Sequence, residues 1–251
     1  MSTTKRLTKR EKRILKQNGE LDESNKPTFT SPNFKLANIQ PITENQRKTF
    51  EAFEQQKHLM LHGMAGTGKT FVSLYLALKQ LMDGASVQNK IYIVRSVVPT
   101  RDMGFLPGNQ KEKMKVYEAP YMAICSELYK RGDAYEVLKQ RGAIEFMSTS
   151  FIRGTTLNDC YVIVDEINNM TFHELDSVIT RIGKNCRVMF CGDFRQSDLT
   201  RDQERNGLQD FIKIINKLSD FEHIDFQEKD IVRSKLVKEY IIAREKLGLQ
   251  A

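Results

Sequence analysis

The stretch Leu59-Met-Leu-His-Gly63-Met-Ala-Gly-Thr-Gly68-Lys69-Thr70 decides the fold of this 251-residue chain. A short apolar run leads into the pattern G-x-x-x-x-G-K-T, and a largely apolar segment follows it. This pattern is typical of a strand that leads through a glycine-rich loop into a helix. The glycines let backbone N–H groups converge on phosphate oxygens, a lysine adds positive charge, and a hydroxyl reaches Mg²⁺. The stretch therefore predicts a loop that binds a nucleoside triphosphate with Mg²⁺. The predicted binding residues are Gly63, Met64, Ala65, Gly66, Thr67, Gly68, Lys69 and Thr70, with Lys69 also catalytic and Thr70 also a metal ligand.

The bulk composition describes a globular chain with a basic surplus. Hydrophobic residues make up 40% of the sequence, and the net charge is +7. No stretch approaches the roughly 20 apolar residues of a membrane helix, and the N-terminus is charged where a signal peptide is apolar. We therefore expect an intracellular protein without a membrane partner. The four cysteines lack C-x-x-C spacing, which favours buried reduced thiols over a metal site.

The N-terminal segment differs from the rest of the chain. In residues 1–20, seven basic side chains less two acidic ones leave a charge of +5. This segment could lie along a nucleic-acid backbone, but a solvated extension is the favoured interpretation. Residues 21–41 are polar and contain three prolines, which is typical of a linker. We expect residues 1–41 to form a basic, partly disordered extension and linker, and residues 42–251 to form a single domain.

Within that domain, short apolar runs alternate with helical patterns, which predicts an α/β fold with a doubly wound, mostly parallel sheet and helices on both faces. Strands are predicted at 58–62, 91–95, 144–148, 161–165, 187–192 and 222–226. Helices are predicted at 44–55, 69–82, 118–130, 133–141, 172–182, 206–218 and 233–246. The segment 97–115 shows neither the periodicity of a helix nor that of a strand, and it contains two prolines and two glycines. We therefore expect a long functional loop there.

Two further strands are followed by polar residues that suit phosphate chemistry. Tyr161-Val-Ile-Val-Asp165-Glu166 is an apolar strand that ends in two acids. Asp165 is predicted to hold Mg²⁺ together with Thr70, and Glu166 to polarise the attacking water, which favours hydrolysis over phosphoryl transfer to another substrate. After the strand at 187–192, Gln196 is predicted to contact the γ-phosphate and the attacking water.

Two single residues complete the predicted site. Gln46 opens a helix just before the first strand, and its amide can read both a donor and an acceptor on the edge of adenine. Arg233 precedes the last helix, where it could stabilise charge on the transferring phosphoryl group or take part in a surface ion pair. Together with the loop, Gln46 predicts ATP as the nucleotide.

These motifs, taken together, resemble those of the PhoH-like proteins, a group of single RecA-like ATPases similar to the first motor domain of superfamily-1 helicases. The resemblance covers about residues 42–245. It is carried by the glycine-rich loop, Val98-Pro99, Gly104-Phe-Leu-Pro-Gly108, Glu112-Lys113, Phe151-Ile-Arg-Gly-Thr-Thr-Leu157, Val164-Asp-Glu166, Gly192-Asp193 with Gln196, and Asp230-Ile-Val-Arg233. One departure is Asn168, which stands where the family usually has a longer amide.

The resemblance implies a RecA-like P-loop ATPase linked to RNA or single-stranded DNA and located in the cytoplasm, or in the host cytoplasm if the gene is phage-borne. Arg95 and Arg153 would then contact the nucleic-acid backbone, although core-edge ion pairs are equally consistent with the sequence. Because one RecA-like domain leaves the nucleotide half open, we expect a homo-oligomer, most simply a hexameric ring. In that arrangement Arg233 would be too far from its own site and would complete the neighbour's.

Three functional hypotheses remain open at this point. The first is an ATP-dependent nucleic-acid motor, and the second is an ATP-switched module that binds nucleic acid without unwinding it. The third is a GTPase, because Asn216-Lys217-Leu-Ser-Asp220 nearly matches the guanine-reading pattern N-K-x-D. Its aspartate is one residue too far along, and Gln46 favours adenine.

Overall fold

The computed structural model describes residues 34–84, 86–97, 110–193 and 202–248, with the backbone alone for 110–113 and 202–206. The described strands are β1 (His58–Gly63), β2 (Lys90–Arg95), β3 (Ile144–Ser148), β4 (Cys160–Asp165), β5 (Arg187–Cys191) and β6 (Phe221–Phe226). They form one sheet in the order β3-β2-β4-β5-β1-β6, with every neighbouring pair parallel. The predicted strands are thus confirmed, each boundary to within one residue.

The described helices are α1 (Glu44–Glu54), α2 (Lys69–Asp83), α3 (Gln110–Tyr129), α4 (Ala134–Gln140), α5 (Phe172–Ile179), α6 (Asp202–Ile215) and α7 (Lys235–Lys246). Local chemistry sets several of their ends. The Thr43 side chain accepts from the backbone of Gln46 at the start of α1, and Thr171 forms a capping box with Glu174 at the start of α5. Among the residues described, none of the helices combines the length and apolar character that a membrane crossing requires.

Side chains of the strands alternate between two apolar layers, as a sheet covered on both faces requires. Leu59 and Leu61 of β1 face the layer formed with α1 to α4. Met60, between them, faces the second layer, which includes residues of α5 and α6. Because both faces are covered, the central strands are buried along their whole length, and polar side chains become accessible only where the strands end.

Two segments differ from the sequence-based expectation. Helix α3 begins at Gln110, eight residues before the predicted start at 118, so the second part of the predicted loop is helical. Pro120 lies inside this helix and hides its pattern, because proline ordinarily marks a first turn. Residues 34–41, assigned to the linker, pack against the body: the Phe34 ring stacks on Tyr129 with centroids 4.3 Å apart.

Candidate active site

The loop that the sequence predicts to bind phosphate (residues 63–70, called the phosphate-binding loop below) joins β1 to α2 through a tight backbone turn. Gly63, Gly66 and Gly68 have φ angles of 110°, 73° and 85°. A Cβ atom at Gly63 would lie 2.1 Å from the carbonyl oxygen of Phe226 on β6, so only glycine permits this approach of backbone to backbone. The first turn of α2 leaves its N–H groups without helical acceptors, and such a turn binds anions.

Lys69 places its ammonium group inside the curve of the phosphate-binding loop. Its Nζ donates to the carbonyl oxygens of Gly63 and Met64, each at 2.8 Å. Burial lowers the pKa of Lys69, and the negative charge of Asp193 partly opposes this shift. Phosphate oxygens that enter the loop would replace the two carbonyl oxygens as acceptors for the same charge.

Thr70 and Asp165 meet at the mouth of the sheet, although 95 residues separate them in sequence. The Thr70 hydroxyl donates to Asp165 Oδ1 at 2.7 Å. Asp165 is the last residue of β4, and β5 lies between β4 and the β1 strand that leads into the loop. Hydroxyl and carboxylate oxygens at this spacing fit a small hard cation such as Mg²⁺, which prefers oxygen ligands. The arrangement of the predicted metal ligands is therefore compatible with that role.

Tyr121 on α3 is a part of the site that the sequence did not reveal. Its hydroxyl donates to Asp165 Oδ2 at 2.9 Å, and its side chain is fully buried. Burial and the neighbouring Asp165 carboxylate raise the pKa of Tyr121 well above its ordinary value, so the hydroxyl remains a donor. Both carboxylate oxygens of Asp165 thus have a hydroxyl partner. The sequence indicates only a buried helical tyrosine, because nothing in it shows that α3 packs beside β4.

Glu166 adopts a backbone conformation that is unusual for its residue type. Its φ angle is 54°, in the left-handed region, at the turn that follows β4. Non-glycine residues held there carry strain and cluster at functional sites. Burial raises the pKa of Glu166, and Asp165 adds to the rise while Arg95 opposes it. The side chain lines a cleft between the sheet and α3, where a carboxylate can accept a proton from water.

Gln46 is buried and bridges two backbone segments of its own chain. Its Oε1 accepts from the Ile42 N–H at 3.0 Å, and its Nε2 donates to the Thr67 carbonyl oxygen at 3.1 Å. A primary amide has a second N–H and a second lone pair, so one donor and one acceptor remain. Gln46 therefore supports the phosphate-binding loop, and adenine reading remains a prediction.

Arg233 lies against the phosphate-binding loop of its own chain. The Val232 N–H donates to the Gly66 carbonyl oxygen at 3.0 Å, and a Cβ atom at Gly66 would lie 2.9 Å from Arg233 Cγ. The expectation that Arg233 is too far from its own site is therefore wrong. The reason is β6, which pairs with β1 and brings the segment that follows it to the same edge of the sheet.

Most of the predicted residues line one cleft of about 770 Å³, a size that suits a small-molecule ligand. The predicted residues among its walls are Gln46, Ala65, Gly66, Thr67, Gly68, Lys69, Thr70, Arg95, Asp165, Glu166 and Arg233. The opposite wall comes from α3, through Pro120, Ala123, Ile124 and Glu127. This wall also contributes apolar surface against which a nucleobase could pack.

The two arginines predicted to contact nucleic acid lie in different surroundings. Burial alone would lower the pKa of Arg95, but the charges of Tyr121, Glu166 and Asp165 raise it, so the guanidinium faces the acidic end of the cleft. Arg153 is exposed beyond β3, outside the walls of that cleft. Contact of either residue with nucleic acid remains a prediction.

Comparison with known sequences assigns the chain to a family. The family profile described as PhoH-like protein matches residues 38–245. The chain belongs to the PhoH-like family. A PhoH-like protein of Bacillus subtilis (strain 168) is 33% identical over 216 residues, covering 85% of this chain and 66% of the relative. One of Mycobacterium leprae (strain TN) is 31% identical over 208 residues, covering 82% and 58%. This PhoH-like chain therefore spans less than two thirds of the length of either relative.

A solved structure shares the fold of this PhoH-like chain. The large terminase of a thermophilic bacteriophage superposes with a TM-score of 0.51 at 14% identity. The match covers 80% of this chain and 50% of the terminase chain. At this identity the likeness concerns the fold alone. The predicted RecA-like α/β fold, with its parallel sheet and covering helices, is confirmed.

Asn168, which differs from the usual residue of the PhoH-like motif after β4, has a structural role. Asn168 is buried, and its Oδ1 accepts from the Asp193 N–H at 3.2 Å. The shorter amide thus ties the turn after β4 to the segment after β5. Gln196, the predicted γ-phosphate contact, lies three residues further on and outside the described residues, as does the motif at 104–108.

Proposed function

We propose that this chain is an ATP hydrolase coupled to RNA or single-stranded DNA, a helicase-like motor of the PhoH-like type. The observation that carries the proposal is the contact of Thr70 with Asp165, in the cleft that also holds Lys69 and Glu166. These residues combine a cation that can bind phosphate (Lys69), oxygen ligands for Mg²⁺ (Thr70 and Asp165) and a carboxylate base beside them (Glu166). This combination is the minimum that hydrolysis of a γ-phosphate requires.

In the proposed mechanism, the phosphate-binding loop and Lys69 hold the β- and γ-phosphates. Thr70 and Asp165 would hold Mg²⁺, which would supply positive charge against the phosphate oxygens. Glu166 orients a water for in-line attack and takes its proton, for which a raised pKa is favourable. Arg233 stabilises the charge on the transferring phosphoryl group from the side of Gly66.

ATP is the proposed nucleotide because Gln46 lines the cleft, and its second amide N–H and second oxygen lone pair have no partner among the hydrogen bonds of the described residues. The guanine-reading alternative depends on Asn216, Lys217 and Asp220. None of these residues lines the cleft, which argues against a GTPase. Competition between ATP and GTP for binding tests this part, and equal affinity for the two nucleotides would contradict it.

The nucleic-acid part of the proposal is supported by charge and by position. The chain carries a net charge of +7, and Arg153 is exposed after β3. The carboxyl ends of parallel strands share one edge of the sheet, and Arg153 follows the carboxyl end of β3 by five residues. Phosphate contact by such residues gives affinity that does not depend on base sequence.

The decisive experiment measures ATP hydrolysis by the full chain with and without single-stranded RNA and single-stranded DNA. We expect at least one polymer to bind and to increase the rate, and strand separation of a duplex to follow if the chain is a motor. Stimulation without strand separation would favour the ATP-switched binding module. If neither polymer binds the protein or changes the rate of hydrolysis, the nucleic-acid part of the proposal is overturned. The protein is then an ATPase with another partner.

A homo-oligomer, with a hexameric ring as the expected form, is the last part of the proposal. Since Arg233 reaches its own loop, distance no longer argues for a ring. The support comes instead from α7, where Leu236 and Tyr240 are 77% and 64% exposed on the element that follows Arg233. Large apolar side chains exposed together are typical of protein contact surfaces.

A further inference from the structure

Two buried cysteines lie side by side at the amino-terminal end of the sheet. Cys160 is the first residue of β4, and Cys186 immediately precedes β5. The register pairs Tyr161 with Arg187, so the two cysteines are the positions just before this pair. Adjacent strands are about 4.8 Å apart, and disulfides join Cα atoms about 4.4–6.8 Å apart. The spacing of the two strands therefore falls within the Cα range of a disulfide.

The two sulfur atoms are in contact, 3.4 Å apart. Cys160 is fully buried, whereas Cys186 keeps 9% of its surface exposed. The hydrogen bond with the Cys160 thiol lowers the pKa of Cys186 from 9.0 to about 7. The same hydrogen bond and burial raise the pKa of Cys160. Cys186 is thus the more accessible member of the pair and the one whose pKa is lowered.

The other two cysteines have different surroundings. Cys125 on α3 is fully buried, and burial raises its pKa to about 12. Cys191, at the far end of β5, is also fully buried and shares a hydrogen bond with Ser73 on α2. Burial raises its pKa as well. Both thiols should therefore react much more slowly with oxidants than Cys186.

We propose that Cys160 and Cys186 form a reversible oxidation site, in which a peroxide converts the two neighbouring thiols into an intramolecular disulfide. The Cys186 thiolate attacks one peroxide oxygen, giving a sulfenic acid and releasing hydroxide. The Cys160 sulfur then attacks the Cys186 sulfur, which forms the disulfide, and the sulfenic oxygen leaves as water with the Cys160 proton. Two thiols are oxidised and one peroxide is reduced, so the step needs no further reactant.

The bridge would join two strands at the end opposite the nucleotide cleft. Asp165 lies at the other end of the six-residue strand β4, about 16 Å away at 3.3 Å per residue. We therefore expect the disulfide to leave ATP hydrolysis within about twofold of the reduced rate. The cross-link also restricts the unfolded chain, so the oxidised protein should melt at a higher temperature.

The test treats the purified full chain with hydrogen peroxide, alkylates the remaining thiols in denaturant, and maps the modified peptides by mass spectrometry. We expect two of the four cysteines to escape alkylation, and a linked peptide pair containing Cys160 and Cys186 that dithiothreitol separates. In Cys160→Ser, the Cys186 sulfenic acid should persist and react with dimedone. Cys125→Ala is the matched control and should still form the bridge.

The proposal is overturned if the folded wild-type protein keeps four alkylatable thiols under conditions that oxidise free glutathione. It is equally overturned if Cys125 or Cys191 forms the bridge, or if Cys186 passes directly to sulfinic acid in the presence of Cys160. These readings need only the folded wild-type chain. They do not depend on whether the protein hydrolyses ATP or binds nucleic acid.

Discussion

Asp165 shows at the residue scale how the side chain of a predicted metal ligand is held by its own protein. Thr70 contacts one carboxylate oxygen and Tyr121 the other, at 2.7 Å and 2.9 Å. The motif around Asp165 predicted the first partner, because Thr70 and Asp165 are predicted to bind the same Mg²⁺. The second partner comes from a helix whose packing beside β4 no motif describes. Residues that support a ligand are therefore harder to find from sequence than the ligand itself.

Removing the Tyr121 hydroxyl should weaken the metal site. Tyr121→Phe leaves Asp165 Oδ2 without its donor, and the loss of a buried hydrogen bond to a charged group costs about 1.5–3 kcal/mol of stability. We also expect half-maximal hydrolysis to need a higher Mg²⁺ concentration, because the carboxylate is less well oriented. Thermal melting and Mg²⁺ titration of hydrolysis measure the two effects.

Tyr129 on the same helix provides the control. Its hydroxyl is buried without a hydrogen-bond partner among the described residues. Tyr129→Phe should therefore not lower the melting temperature, and it should not change the Mg²⁺ dependence of hydrolysis. Equal behaviour of the two variants would show that the contact with Asp165 has no effect on metal binding.

His58 should make the stability of the protein sensitive to acid. Its Nδ1 accepts from the Val188 N–H at 3.1 Å, and burial, followed by the charge of Arg187, lowers its pKa below 6.5. A depressed pKa in the folded state stabilises the protein above pH 6.5, and this contribution is lost as the pH falls through the folded value. We expect His58→Asn, which keeps an acceptor, to lose less stability on acidification than the wild type.

Melting temperatures at about pH 7.5 and about pH 5.5 provide the measurement. His173, exposed on α5, gives the control variant His173→Asn, which should retain the acid sensitivity of the wild type. If the melting temperature of His58→Asn falls between the two pH values by as much as that of the wild type, His58 does not cause the acid sensitivity.

At the scale of elements, the buried side chain of Asn45 on α1 contacts the segment that carries Arg233. Asn45 Nδ2 donates to Asp230 Oδ2 at 2.7 Å and to the Asp225 carbonyl oxygen at 2.9 Å. Asp230 also accepts from the Gln227 N–H at 2.9 Å. The position of Arg233 beside the phosphate-binding loop thus depends on how the short turn after β6 packs against α1.

Asn45→Ala should loosen that segment. The variant removes both donors and leaves the buried Asp230 carboxylate short of a partner, which costs about 1–3 kcal/mol of stability. We expect hydrolysis to fall more than nucleotide affinity, because the misplaced residue is Arg233 rather than the loop. Lys48→Ala, an exposed change on the same helix, is the control for melting and kinetics. Full activity in a destabilised Asn45→Ala would contradict this role.

The start of helix α3 was not predicted correctly from the sequence. Pro120 has no N–H to donate and usually marks the start of a helix, so the pattern places the start near residue 118. The helix instead continues from Gln110 through the proline. Packing of Tyr121 and other buried residues of α3 against the sheet stabilises the helix despite the missing bond. Tertiary contacts of this kind cannot be read from a local pattern.

At the scale of the whole molecule, the order of the strands was the main unknown. The six apolar runs located the strands because buried parallel strands leave a strong local pattern. Their order depends on long-range pairing, and this order brings Thr70 to Asp165 and the segment that carries Arg233 to the loop of its own chain. The sequence therefore did not predict that Arg233 lies beside the loop of its own chain, and the chemistry of Arg233 stays a prediction.

Assembly of the chain is a prediction at this scale. We expect light scattering to report a homo-oligomer in the presence of ATP and Mg²⁺, and Leu236→Lys on α7 to reduce its mass. Val87→Lys, an exposed apolar residue near the start of β2 and 52% accessible, is the control. A monomer that hydrolyses ATP at full rate would contradict the oligomer and leave Arg233 to act within one chain.

The central claim is that Glu166 activates water beside a nucleotide held by Lys69, Thr70 and Asp165. The most direct test compares ATP binding and steady-state hydrolysis in the wild type and in Glu166→Gln, which keeps the size of the side chain. We predict that the variant binds ATP with Mg²⁺ at unchanged affinity and loses at least about a hundredfold in kcat, as expected for removal of a general base. Hydrolysis by Glu166→Gln at the wild-type rate would contradict the account.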